Sequence, residues 1–220
     1  MSLIFEAAAP ATVPVQGGGD LPVHRIYCVG RNYAEHAQEM GHSGREPPFF
    51  FLKPADTVVP VADGETGSMA YPSLTTNLHH EIELVVAIGP GNAIFGYAVG
   101  LDMTRRDLQN DMKKQGRPWS IGKAFEQSAP IGPIVPIATC GELTRGAITL
   151  DVNGTRRQTG DLSDLIWNVR ETIEQLGTAW RLVPGDLIFT GTPAGVGAVV
   201  RGDVMEGRIA GLGSLRVKVV

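Results

Sequence analysis

Cysteine is scarce in this chain, and its scarcity excludes a disulfide-stapled architecture. Cys28 and Cys140 are the only two, too few for a bridged framework, so the expected setting is the reducing cytoplasm. Cys28 lies in the apolar run Ile26-Tyr27-Cys28-Val29 and reads as a small core residue rather than a nucleophile. Long hydrophobic runs are missing as well. No stretch approaches the roughly 18 apolar residues of a membrane span, and no basic segment followed by an apolar one marks the N-terminus for export. The expectation is a soluble, unexported protein with no membrane partner. Positive charge is not in excess either, because the net charge is −4 and the isoelectric point is near 5.7. Nucleic acid is therefore not an expected partner, whereas a small anionic ligand needs only a local cationic pocket. Repeats and low-complexity linkers are absent. What remains is 220 residues, 43% of them hydrophobic, enough for one domain with a sizeable core.

Residues 1–21, with Ala7-Ala8-Ala9-Pro10 and Gly17-Gly18-Gly19, read as a loosely structured leader holding one short strand, and residues 22–220 as the domain proper. Short strand-like runs dominate that domain: 26–29, 49–52, 82–88, 95–101, 148–152, 187–190 and 215–220, separated by turn residues drawn from 28 Gly and 15 Pro. Three helices are expected between them. One starts at Asn32, with Glu35 three residues on, and ends at Gly41; a second is capped by Thr104 and stops at Gly116; a third carries Leu165, Val169, Ile173 and Leu176 on one face and stops at Gly177. Strands and helices do not alternate regularly, so the fold class is α+β, a β-rich mixed-sheet domain with a few peripheral helices, and not a doubly wound parallel sheet.

Chemistry concentrates at His79-His80-Glu81-Ile82-Glu83-Leu84, where two carboxylates stand one residue apart at the mouth of an apolar strand. Alternation sends Glu81 and Glu83 to one face and Ile82 and Leu84 to the other. Buried unpaired, two such anions cost several kcal/mol. A hard divalent cation resolves the conflict, and Asp102 at the end of the next apolar strand supplies a third oxygen ligand. A solvated strand face carries the same pattern, so both readings stand on this segment alone. On the first expected helix, His36 and Glu39 are three residues apart and can pair as a general-base dyad or as an ordinary surface pair. Arg106, Gln109 and Lys113 form one polar stripe that can hold a substrate oxygen, or water. Lys123, in the apolar stretch Trp119-Ser120-Ile121-Gly122-Lys123, reads as a strand lysine that needs an anionic partner, and Lys53 invites the same argument. Neither a phosphate-binding Gly-Lys-Ser/Thr loop nor a Gly-x-Ser-x-Gly elbow is present.

Six ordered motifs carry a resemblance. Gly30-Arg31-Asn32-Tyr33-Ala34-Glu35-His36, Phe51-Leu52-Lys53-Pro54, His79 through Leu84, Leu101 through Asp107, Trp119 through Lys123, and Gly191-Thr192-Pro193-Ala194-Gly195-Val196-Gly197 together resemble the fumarylacetoacetate hydrolase family, from about residue 22 to the end. Within it the chain looks similar to the short bacterial fumarylpyruvate and acylpyruvate hydrolases. The resemblance implies a β-rich fold, a homodimer, and Mg²⁺ or Mn²⁺ held at Glu81, Glu83 and Asp102. It implies a His36–Glu39 base, an oxyanion lysine at Lys123, and substrate contacts at Arg106, Gln109 and Thr192. Lys53 and Arg45 join these as expected substrate contacts, Arg45 from the loop after Gly41, where its fork suits a second carboxylate. The implied activity is metal-dependent hydrolysis of the C–C bond of a 2,4-dioxo acid to pyruvate and a carboxylic acid. Decarboxylation of oxaloacetate or tautomerisation of a 2-oxo acid would use the same site, and a non-catalytic metal- or ligand-binding protein is the reading outside enzymology.

Overall fold

The structure is a computed structural model, and it describes residues 4–33 and 45–220. The expected helix from Asn32 to Gly41 therefore lies, beyond Tyr33, outside the described residues. Asn32 itself donates from its carboxamide to the carbonyls of Trp167 (2.9 Å) and Thr190 (2.8 Å) and accepts from the Trp167 N–H (2.8 Å). Its side chain thus ties two distant segments together.

The centre of the molecule is a mixed sheet in the order Phe49–Lys53, Ile26–Gly30, Leu187–Phe189, Ile82–Ile88, Ile94–Leu101, Ala129–Ile131, Val58–Pro60, with Val135–Pro136 also paired to Ile94–Leu101. Strict alternation divides its apolar residues between two cores. Ile82, Leu84, Val86 and Ile88 face one side with Tyr97, Val99 and Leu101, whereas Val85, Ala87 and Ala98 face the other with Ile26, Cys28 and Phe189. A five-stranded sheet (Thr155–Asp161, Ala147–Val152, Val204–Ile209, Gly213–Val219, Thr66–Met69) covers the first face. The two layers approach so closely that a Cβ on Gly207 would stand 2.4 Å from Ile82 Cδ1. The second face is covered by the hairpin Thr12–Pro14/Asp20–Pro22, which buries Val13 and Leu21. The described part of the expected leader therefore holds two short strands, Thr12–Pro14 and Asp20–Pro22, where one was expected, because Val13 and Leu21 have core positions to fill.

The core strands match the expected runs closely, and the helices require three corrections. The second expected helix spans Arg106–Gln115 and closes on Gly116 in the left-handed conformation (φ 63°), but Arg105, not Thr104, precedes it. Thr104 is drawn instead into a short strand against Leu78–His80. The third helix spans Val169–Ala179, one turn later than expected, because Asn168 and Glu171 form a reciprocal capping box. Gly177 does not end it, since that residue has ordinary helical space around it and no left-handed φ. Finally, Lys123 closes the short helix Ser120–Lys123 rather than standing in a strand. Among the described residues no helix is long and apolar enough to cross a membrane.

Candidate metal centre

Sheet register builds the site. Ile82 pairs with Leu101 in the antiparallel ladder, so one step outward Glu81 stands opposite Asp102, whose N–H donates to the Glu81 carbonyl at 2.9 Å. Glu83 lies on the same face one repeat inward. The three carboxylates each bring an oxygen within 4.8 Å of the others, and all three side chains are buried.

Cations of the chain compensate two of the acids. Lys123 Nζ donates to Glu81 (2.7 Å), Asp102 (2.6 Å) and the Thr104 hydroxyl (2.7 Å). Lys53 pairs with Asp102 at 2.9 Å, and Arg106 with Glu81. Burial alone would push the Glu81 carboxyl up, yet Lys123 and Arg106 together hold it below the usual carboxylate range. The same acids keep the buried Lys123 ammonium charged, above its ordinary value. Glu83 differs. Among the described residues its one hydrogen bond comes from the Gly191 N–H at 2.8 Å, and burial, reinforced by Asp102 and Glu81, pushes its carboxyl well up. Among the described residues, a donor set made of carboxylate oxygen, with one acid in no ion pair, fits a hard divalent ion.

Local structure explains how Lys123 reaches the acids. Trp119 accepts hydrogen bonds from the N–H groups of Gly122 (2.9 Å) and Lys123 (3.0 Å), closing one tight turn. That turn lies against the helix Arg106–Gln115 because Gly122 has no side chain: a Cβ there would meet the Gln109 backbone nitrogen at 2.9 Å. Gly191 serves the opposite wall, at φ 100° and with a Cβ position 2.8 Å from Asn32 Cβ, so only glycine presents its N–H to Glu83.

The other expected site residues divide. Arg106, Gln109 and Thr192 line one cleft with the three acids and Lys123. Arg106 donates to Gln109 Oε1 and to His79 Nδ1. Burial and then Arg106 lower the His79 imidazole to about 4, so it is a neutral acceptor, its Nε2 on Asn77 Oδ1 at 3.0 Å. Lys53 is not at the cleft surface. Its ammonium is fully buried behind Asp102, ion-paired with that carboxylate and donating to the carbonyls of Met103 (3.2 Å) and Lys123. Arg45 does not line the cleft either, because its guanidinium pairs with Glu171 and lies 4.4 Å from the centre of the Trp167 ring. His36 and Glu39 lie outside the described residues.

One residue went unrecognised in the sequence. Gln158, fully buried, accepts from His80 Nδ1 (2.9 Å) and the Ile82 N–H (3.1 Å) and donates to Thr192 Oγ1 (2.8 Å) and the Pro193 carbonyl (2.9 Å). Both ends of its amide are thereby fixed, and Thr192, accepting from Gln158, keeps its own proton to donate. The His80–Gln158 bond also sets that ring with its proton on Nδ1. Nothing apolar marks Gln158, since its strand reads Thr-Arg-Arg-Gln-Thr-Gly-Asp. Replacing Gln158 with Leu strands the Ile82 N–H and the Pro193 carbonyl, and the expected loss of about 1–3 kcal/mol in stability can be checked by chemical denaturation.

Residues 25–220 match the fumarylacetoacetate (FAA) hydrolase C-terminal domain. The chain belongs to the fumarylacetoacetate hydrolase family. Among relatives of that family, a fumarylpyruvate hydrolase from Ralstonia sp is 47% identical over 185 residues, covering 79% of this chain and 93% of the relative. The mitochondrial oxaloacetate tautomerase of Homo sapiens is 40% identical over 204 residues, 88% of this chain and 90% of its own length. Fumarylpyruvate hydrolase from Pseudomonas aeruginosa, solved in complex with Mn²⁺ and pyruvate, superposes with a TM-score of 0.96 at 55% identity, covering 100% of this chain and 99% of that one. The β-rich mixed-sheet fold expected from the sequence is the fold of this family.

Proposed function

We propose that the protein is a divalent-cation-dependent hydrolase that cleaves the C–C bond of a 2,4-dioxo acid, fumarylpyruvate or another acylpyruvate, to pyruvate and a carboxylic acid. The observation that carries this reading is the buried carboxylate cluster and its attendant Lys123, set in a fold that superposes over its whole length on a fumarylpyruvate hydrolase. Glu81, Glu83 and Asp102 would hold Mg²⁺ or Mn²⁺. When bound, that ion supplies Lewis-acid polarisation of the 2-oxo acid end of the substrate.

The chain's own residues do the rest. Arg106, held in place by His79, and Gln109 bind the carboxylate of the 2-oxo acid end, and the Thr192 hydroxyl donates beside them. His36, oriented by Glu39, takes a proton from water. The hydroxide so formed attacks C4, and the negative charge that develops on the C4 oxygen is stabilised by the Lys123 ammonium. Cleavage of the C3–C4 bond then leaves the hydroxyl on C4, as the new carboxylic acid, and the bonding pair on C3. C3 takes back one proton to complete pyruvate, so one water is consumed per turnover. Lys53 contributes indirectly, by fixing Asp102 and the Lys123 carbonyl. The reading takes the protein to be a cytoplasmic homodimer, on its cysteine usage and the family resemblance.

The 40% identity to an oxaloacetate tautomerase favours a second reading, proton transfer at C3 of oxaloacetate without an attacking water. Steady-state rates on fumarylpyruvate, acetylpyruvate and oxaloacetate separate the two. Efficient pyruvate release from a 2,4-dioxo acid supports the hydrolase; keto–enol conversion of oxaloacetate with both 2,4-dioxo acids intact supports the tautomerase.

A further inference from the structure

Arg31, Phe51, Lys113 and Trp119 line the same cleft as the acids. Lys113 stands one helical turn beyond Gln109 and two beyond Arg106 on the same stripe. Its ammonium lies 5.5 Å from the centre of the Trp119 ring, and no carboxylate among the described residues pairs with it. Among the described residues, the charges that face it are mostly of its own sign: Arg31 from the turn after the strand Ile26–Gly30, Arg106 from its own helix and Lys123 from the neighbouring turn, against Glu81. Burial, then Arg31 and Arg106, hold Lys113 below the ordinary lysine value. A half-buried ammonium among cations gains most from an anionic ligand. Arg31 is itself held at φ 59°, a left-handed conformation uncommon for a side-chain-bearing residue and one that structures keep at ligand sites. Next to these cations, and sharing Arg31, Phe51 and Trp119 with the cleft, an open apolar groove continues over Phe49, Leu52 and Pro118.

We propose that Lys113 selects substrates by terminal charge, taking the second carboxylate of a dicarboxylic 2-oxo or 2,4-dioxo acid whose first carboxylate is held by Arg106 and Gln109. The unsaturated middle of such a chain would lie against Phe51 and Trp119, whose faces suit a planar conjugated segment. This inference rests on the hydrolase reading of the site. It moves the distal contact from Arg45, whose guanidinium is engaged by Glu171 and Trp167, to a residue that lines the cleft.

The test needs two acids of equal length that bind but lack the 4-oxo group required for cleavage. 2-Oxoheptanedioate ends in a carboxylate and 2-oxoheptanoate in a methyl group. Calorimetric titration of the Mn²⁺-loaded protein should show a preference for the dicarboxylate, and Lys113→Met should reduce that preference about tenfold, the worth of one charge-assisted hydrogen bond. Lys113→Arg should retain most of it. An unchanged preference in Lys113→Met, equal losses on both acids, or a parent protein that binds both acids equally would each overturn the assignment and leave the hydrolase reading standing. A parent that binds neither acid would remove the 2-oxo acid site itself and the inference with it.

Discussion

Glu83→Gln is expected to leave the fold intact while lowering divalent-cation affinity by at least about a hundredfold and pyruvate release by a thousandfold or more, since Lewis-acid assistance is worth several kcal/mol and each ~1.4 kcal/mol is a factor of ten. The structure makes this substitution cleaner than one at Asp102 or Glu81. Those acids hold Lys53, Lys123 and Arg106 in place, so altering them disturbs buried ion pairs as well as the cation site. Glu83 has no ion pair among the described residues, and its single hydrogen bond, from the Gly191 N–H, can be accepted equally well by a glutamine carbonyl. Because burial and the two neighbouring acids already disfavour its ionised form, glutamine imitates the acid as it stands without a cation. Calorimetric titration with Mn²⁺ and a coupled pyruvate assay measure the two losses. A variant that binds one Mn²⁺ with parental affinity would place Glu83 outside the ligand set.

Lys123→Met should lower turnover about 100- to 1000-fold, the range for removal of one oxyanion donor, with little loss of stability. The asymmetry follows from the duplicated pairing in the cluster. When Lys123 is removed, Asp102 keeps Lys53 and Glu81 keeps Arg106, so neither carboxylate is left alone in the interior. Cation affinity should hold or rise, because a positive charge 2.6–2.7 Å from two of the ligands has gone. Thermal denaturation with and without Mn²⁺ would follow stability, and pyruvate release would follow catalysis. Turnover within a few-fold of the parent would retire the oxyanion role and leave Lys123 as a structural counterion.

Both predictions depend on residues whose relation was only partly legible in the sequence. Glu81 and Glu83 announced themselves because like charges at the mouth of Ile82–Ile88 conflict with burial, and the alternation of that strand does divide two cores. Asp102 was visible as a strand-end acid, but its position opposite Glu81 follows from a register that includes a bulge between Ala87 and Ile88, which no local pattern reveals. Two of the acids are also less isolated than like-charge repulsion alone suggests, since Lys53 and Lys123 come from segments distant in sequence to meet them. Lys123 was misread as a strand residue because apolar neighbours on both sides imitate a buried strand, whereas Gly122 permits a helical turn against Gln109. The capping box at Asn168 and Glu171 was readable and was obscured by the apolar spacing that starts at Leu165. Gln158 had no signal of its own. It sits in an edge strand whose other side chains are mostly exposed, so the pattern of that strand is polar throughout, and only the packed structure shows one amide passing between His80 and Thr192.

Hydrolysis requires that water be added across the C3–C4 bond of a 2,4-dioxo acid. Running the reaction of the Mn²⁺-loaded protein on fumarylpyruvate in water enriched in the heavy oxygen isotope, and examining the fumarate by mass spectrometry, tests it directly. One heavy oxygen is expected in the newly formed carboxylate of each fumarate, released in step with pyruvate. Fumarylpyruvate recovered uncleaved, or fumarate formed without label from the solvent, would contradict it.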